Sequence, residues 1–168
     1  ESLKIATARA GNVIGGGDWV KSRIIPDLIH SLINKEEVLL RNPLSTRPWQ
    51  HVLEPLSGYL KLAEILFLED RKDLESCFNF GPNLYSNRTV KQLVEECFIS
   101  WDGKYRKLNQ DLMPHEAGKL NVSIDKAFHK LNWFPKWDFE TTVSKTMLWY
   151  KKYLLEEIDP LSCCLNDL

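Results

Sequence analysis

Residues 8–19, ARAGNVIGGGDW, follow directly on the apolar run Leu3–Ala8. That run is short, carries β-branched Ile5 and Thr7, and ends at glycine, the pattern of a buried parallel strand. The turn beyond it holds Gly11, Gly15, Gly16 and Gly17. Glycine reaches positive φ without penalty and lets backbone come close to a bulky ligand. A strand that opens into such a turn reads as a ligand loop, yet here it stands at the head of the chain with no scaffold before it. The chain is therefore either a small, unusual binding protein or the back half of something larger, and a first residue of Glu rather than Met points to the second. Asn12 and Asp18 flank the glycines, where short polar side chains either brace the turn or face a ligand.

Working outward, Ile25-Pro26-Asp27 opens a helix. Proline suits the first turn and Asp27 the positive helix end, with Leu28, Ile29, Leu32 and Ile33 on the apolar side. Val38–Arg41 and Arg47–Val52 read as short strands, the second with Pro48 marking an edge or bulge. Glu54-Pro55 starts a strong helix in which Leu56, Tyr59, Leu60, Ala63, Leu66 and Phe67 recur at helical spacing. Ser76–Phe80 is a strand ended by Gly81-Pro82. Thr89 caps a helix through Trp101, Lys104–Leu108 is a further strand, and Asp125 caps a short helix. A last helix runs from about Thr141 to Leu155, and the tail after Asp159-Pro160 is expected to fray. Trp19, Trp49, Trp101, Trp133 and Trp137 default to core, with stacking of one of them on a base as the alternative.

The 168 residues suit one domain, with 43% hydrophobic and 27% charged residues and a formal net charge of −1. That balance offers no field for nucleic acid or an anionic membrane. No apolar run is long enough to span a bilayer and no signal peptide is visible. Cys77, Cys97, Cys163 and Cys164 form no CxxC pair, which speaks against a disulfide framework or zinc site and for the cytosol.

Three arginines sit in ligand-like contexts: Arg23 before the first helix, Arg41 at a strand end, and Arg47 before Pro48-Trp49-Gln50-His51. A guanidinium presents a planar fork of donors that matches phosphate oxygens. Together with the glycine turn and a helix N-terminus they form a candidate phosphate cradle, against the plainer reading of surface arginines. His51 reads as a structural residue ahead of a catalyst, and Pro114-His115-Glu116 as a His–carboxylate pair or a local helix cap. No tyrosine has lysine four residues on, and no GxGxxG or GxxGxxG occurs, so neither a Tyr-x-x-x-Lys base nor a dinucleotide fingerprint is present.

ARAGNVIGGGDW, RIIPD (Arg23–Asp27), RNP (Arg41–Pro43) and the unbroken block RPWQHVLEPLSGYLKLAE (Arg47–Glu64) closely resemble the CDP-glucose 4,6-dehydratases. NFGP (Asn79–Pro82), PHEA (Pro114–Ala117), Asp125-Lys126-Ala127 and LNWFP (Leu131–Pro135) continue the resemblance in order, from about Ile5 to Lys152. These enzymes are extended short-chain dehydrogenases. The resemblance implies an α/β fold corresponding to their C-terminal part: the last parallel Rossmann strand or strands plus a smaller α/β substrate-binding region. It implies residues 1–18 as terminal strand and ligand loop of the Rossmann part, 19–158 as mainly substrate-binding, and 159–168 as tail.

The same resemblance implies an NAD-dependent lyase acting on a CDP-sugar, forming a 4-keto-6-deoxy product. The glycine fingerprint, the Tyr-Lys pair of the oxidation and the acids of the dehydration belong upstream of this chain. No catalytic residue or metal ligand is therefore expected within it, and alone it is expected to be inactive and not to retain NAD. Arg9 and Ala10 are expected near the nicotinamide. Asn12, Arg23, Ile24, Ile25 and Arg47 are expected at the sugar diphosphate, Arg41 near the base, and His115 and Glu116 in a loop over the nucleotide. The implied partners are a CDP-sugar, a missing N-terminal Rossmann half and possible further copies of the chain, but no nucleic acid or membrane. The rival readings are a stand-alone nucleotide-sugar-binding module or degenerate pseudoenzyme, and a folded remnant that binds nothing.

Overall fold

A computed structural model describes residues 3–108 and 118–167. The leading run does become a parallel strand, β1 (Thr7–Ala10), paired in register with β5 (Cys77–Phe80). It is not buried: Thr7, Ala8 and Arg9 are exposed, and among the described residues β5 is its one strand neighbour. After Gly11 the chain steps sideways into β2 (Asn12–Ile14), which runs parallel to the end of β4 (Thr46–His51). The first half of β4 pairs antiparallel with β6 (Asn87–Thr89), a strand with no apolar alternation to announce it. A third parallel pair joins β3 (Val38–Leu40) to β7 (Tyr105–Lys107).

The middle strand β4 contains Pro48, which the sequence placed at an edge or bulge. On its β2 side the ladder begins only at Trp49, so Pro48 has no partner there and its missing N–H goes unfelt. Gly11 lies opposite: a Cβ at Gly11 would stand 3.1 Å from both Pro48 Cγ and its carbonyl oxygen. One carbonyl ties the two sheets across this break. Phe80 O accepts from Gly11 N at 3.1 Å and from Gln50 Nε2 at 3.0 Å.

The helices are α1 (Ile24–Ile33), α2 (Leu53–Leu68), α3 (Val90–Ser100), α4 (Asp125–Leu131), α5 (Phe139–Leu155) and α6 (Pro160–Leu165). Thr89 forms a full capping box with Gln92. Asp125 does not cap α4; Ile124 takes that position and Asp125 is the first helical residue. The last long helix starts earlier than expected because Asp138 accepts from Thr141 N at 2.8 Å. The tail does not fray. Asp159 caps α6 through Ser162 N, Pro160 occupies the first turn, and Cys163 is buried.

Two apolar cores result. One gathers Leu28, Ile29, Leu93, Val94, Met147 and Tyr150 around β2, β3 and β4. The other gathers Leu62, Ile65, Leu74, Phe78, Phe80, Leu131 and Trp133 between α2, α4 and the β1–β5 pair. The spacing on α2 is helical as read, but much of the residue set lies on the wrong face. Leu56, Leu60, Ala63 and Phe67 are exposed, Phe67 to 85%, while Glu54, Pro55, Gly58, Leu62 and Ile65 point inward. Gly58 is inward because a Cβ there would enter the Phe80 ring. Among the described residues no helix is long and apolar enough to cross a membrane.

Candidate functional site

A cavity of about 1030 Å³ opens where β1 and β2 end, between the glycine turn and the start of α1. Its wall begins with the turn itself. Gly17 has φ +79° and Ser22 φ +68°, two left-handed residues that fold the segment back on itself. Asp18 holds it closed. One carboxylate oxygen accepts from Val20 N at 3.0 Å, the other from Arg23 Nη1 at 3.1 Å, and the Asp18 carbonyl accepts from Tyr150 Oη at 2.7 Å. Asp18 is thus a brace. Burial, with the Asp18 charge beside it, pushes the Tyr150 hydroxyl up to about 12, so it stays a donor.

The start of α1 supplies the cavity's anion-seeking feature. The first backbone N–H groups of a helix have no intrahelical partner. Here Pro26 has none, and Asp27 N bonds Arg23 O at 3.0 Å. Ile24 and Ile25 remain, and both line the cavity. Asp27 spends its carboxylate on Ser22 N at 3.0 Å, which locks the turn to the helix rather than closing off those two N–H groups. Asn12 and Asn79 reach the cavity from β2 and β5, their side-chain amides without a hydrogen bond among the described residues. Arg47, half-buried on β4, donates to Thr46 O at 3.0 Å and lines the same space.

Seven of the residues singled out in the sequence therefore meet in one place: Arg9, Ala10, Asn12, Arg23, Ile24, Ile25 and Arg47. Arg41 is not among them. It lines a second cavity of about 510 Å³ with Lys21, His30 and Trp19, separated from the first by Ser22 and Pro26, which border both. Its strand β3 pairs with β7, not β4, so six residues of sequence span two sheets. His115 and Glu116 lie outside the described residues. Sequence reasoning missed Asn79, Asn121 and Ser123 as lining residues. Only Asn79 carried a signal, the NFGP that ends β5.

Three arginines against one carboxylate give the larger cavity a net positive lining, with oriented N–H groups at one end. His51 does not serve it. Its ring packs on Trp137 at 4.8 Å, Nδ1 accepts from Leu53 N at 3.4 Å, and Nε2 is buried with no partner among the described residues. Burial lowers its pKa to about 4, with Lys145 adding to the fall and Asp167 opposing it, so His51 is neutral at physiological pH. The structural reading of this histidine is the one its surroundings support.

No family model matches the chain. By sequence it is 42% identical over 165 residues to CDP-glucose 4,6-dehydratase of Salmonella typhimurium, which takes in 98% of this chain and 45% of that protein. By structure it is similar to a UDP-glucose 4-epimerase from Stenotrophomonas maltophila solved with NAD, at 16% identity and a TM-score of 0.77, over 93% of this chain and 50% of the other. A dTDP-glucose 4,6-dehydratase from Streptomyces venezuelae, also solved with NAD, matches with a TM-score of 0.75 and 16% identity, over 95% of this chain and 47% of the other. The chain spans about half the length of each of these relatives. It thus has the fold of the C-terminal part of an extended short-chain dehydrogenase, and its sequence resembles the corresponding portion of the CDP-glucose 4,6-dehydratases.

Proposed function

We propose that this chain is the nucleotide-sugar-binding portion of a CDP-glucose 4,6-dehydratase-like enzyme, completed by an upstream Rossmann half. The observation that carries the reading is the convergence of Asn12, Arg23, Arg47 and the Ile24 and Ile25 N–H groups on one cavity at the ends of two parallel strands. In this reading Arg47 and Arg23 neutralise the diphosphate. The two N–H groups donate to its oxygens at the positive end of α1, and Asn12 orients the sugar side. The second cavity, which shares Ser22 and Pro26 with the first, gives Arg41 its place beside the base. Residues 1–18 belong to the Rossmann part, 19–158 mainly to substrate binding, and 159–168 to the tail.

Arg9 and Ala10 end β1 and border the same cavity, so they are the edge that this chain offers to a nicotinamide. NAD, when bound, would supply the hydride acceptor and donor for the internal redox of the sugar. The chain's own share is to bind, orient and neutralise. No described residue lining the cavity is placed as a base for the C4 hydroxyl, since Asp18 is committed to Arg23. The open edge of β1 and the exposed α2 stripe support an upstream partner over the stand-alone module.

Calorimetry with CDP, CDP-glucose and UDP-glucose tests the reading. In the full-length protein CDP ligands are expected to bind, and Arg47→Ala to weaken them by about 1.5–3 kcal/mol, the size of a lost charge-assisted bond, whereas tight CDP-specific binding by this chain alone would favour the stand-alone module. Equal affinity in wild type and variant would remove Arg47 from the site. Formation of a 4-keto-6-deoxy sugar by the isolated chain with NAD and CDP-glucose would overturn the division of labour.

A further inference from the structure

The glycine turn rests on α5, and α5 rests on the C-terminal segment. Gly16 lies flat against Trp149, so tightly that a Cβ would enter the indole ring. Tyr150 bonds the Asp18 carbonyl, and Trp19 meets Tyr150 edge-on at 5.3 Å. The position of the turn is therefore set by where the Trp149 ring stands. That ring is 5% exposed, and its Nε1–H has one acceptor, Cys164 Sγ at 3.3 Å on α6. Glu157, left-handed with φ +54°, turns the chain so that α6 runs back over α5. Cys163, 2% exposed, anchors α6 in the core.

A second route leads from the same segment to the same turn. Asp167, its side chain 9% exposed, pairs with Lys145 at 3.1 Å. Lys145 Nζ sits 5.4 Å from the centre of the Trp137 ring, whose other neighbour is His51. His51 is the β4 partner of Ile14, the last strand residue before the turn.

We infer that residues 159–167 are a brace for the ligand loop: they fix the Trp149 ring, and that ring fixes Gly15–Arg23 and the cavity wall it forms. Trp149 is a positioning residue, acting through Gly16 with no contact to the ligand. The inference rests on the proposed nucleotide site only for its affinity arm; the loop arm is independent of what binds.

Cys163→Asp puts a carboxylate at a buried position and should undock α6. Hydrogen exchange at Gly15–Arg23 is then expected to quicken about tenfold with α3 amides unchanged, as for a local opening that leaves the global fold intact. If that variant fails to fold, Cys164→Ala combined with Asp167→Ala removes both polar attachments and keeps Cys163, while Asp167→Glu restores the second. CDP affinity, measured alongside in the full-length protein, should fall about three- to tenfold with the loop and recover partly in the Asp167→Glu form. Opening of α6 with unchanged loop exchange overturns the brace. A full-length wild type that does not bind CDP overturns the nucleotide reading instead, and the exchange result still decides the brace.

Discussion

Around β2 and β4, the side chains of Leu28, Leu93, Met147 and Tyr150 are fully enclosed by α1, α3 and α5. Around β1 and β5 the inner side is equally dry, with Phe78 and Phe80 at 0% exposure, but the outer side is bare. Thr7, Ala8 and Arg9 face solvent, and α2 turns Leu56, Leu60 and Phe67 outward. Both regions obey the same packing rules. They differ in how many faces the described residues cover. Parallel sheets are ordinarily covered on both faces, and the β1–β5 pair is covered on one.

The largest effect expected from breaking the contrast is Met147→Ala in the closed region, a loss of about 2–5 kcal/mol for a fully buried side chain. Chemical denaturation measures it, and a loss near zero would mean that this core is looser than its burial suggests. Next is pH. His51 is neutral in the fold, with a pKa of about 4 against 6.5 when unfolded. Above pH 6.5 neither state carries the proton. As pH falls from 6.5 toward 4 the unfolded chain takes up a proton that the folded chain refuses, so stability drops by up to about 3 kcal/mol. Denaturation midpoints against pH should flatten over that window in His51→Gln.

Gly58→Ala, in the open region, should cost about 1–3 kcal/mol by pushing α2 off Phe80. An unchanged stability there would show that the open half has slack. Thr89→Ala removes the capping box of α3 for about 1 kcal/mol. The smallest effect, within about 0.5 kcal/mol, is expected for Phe67→Ser, because the ring has no interior to leave. That same change should lower self-association in sedimentation, and an increase would count against an unpartnered face.

Helices and the parallel strand at the head of the chain were legible because their spacing and end signals are local. Thr89 as a cap and the proline in the first turn of α1 behaved as written. The α2 face was not legible, because its inward set includes a carboxylate, a proline and a glycine. Glu54 is inward to accept from Lys136 N at 3.0 Å and Trp137 N at 2.7 Å, a reason that lies 82 residues away. The α6 start was written in Asp159-Pro160, yet its persistence depends on a seat for Cys163 that only α5 provides. In the site, the residues around the glycine turn could be gathered from motifs. That Arg41 lines a cavity apart from Arg47 could not be read from spacing, since which strand pairs with which is settled across the whole fold.

The doubly bonded carbonyl of Phe80 fixes how the cavity can respond to a ligand. Its donors come from the step between β1 and β2 and from β4, so sliding one sheet past the other would strand both at once. The part of the cavity wall formed by the ends of β1, β2 and β4 is accordingly held at a set offset. A ligand that spans it meets that wall already in place and loses little to ordering it.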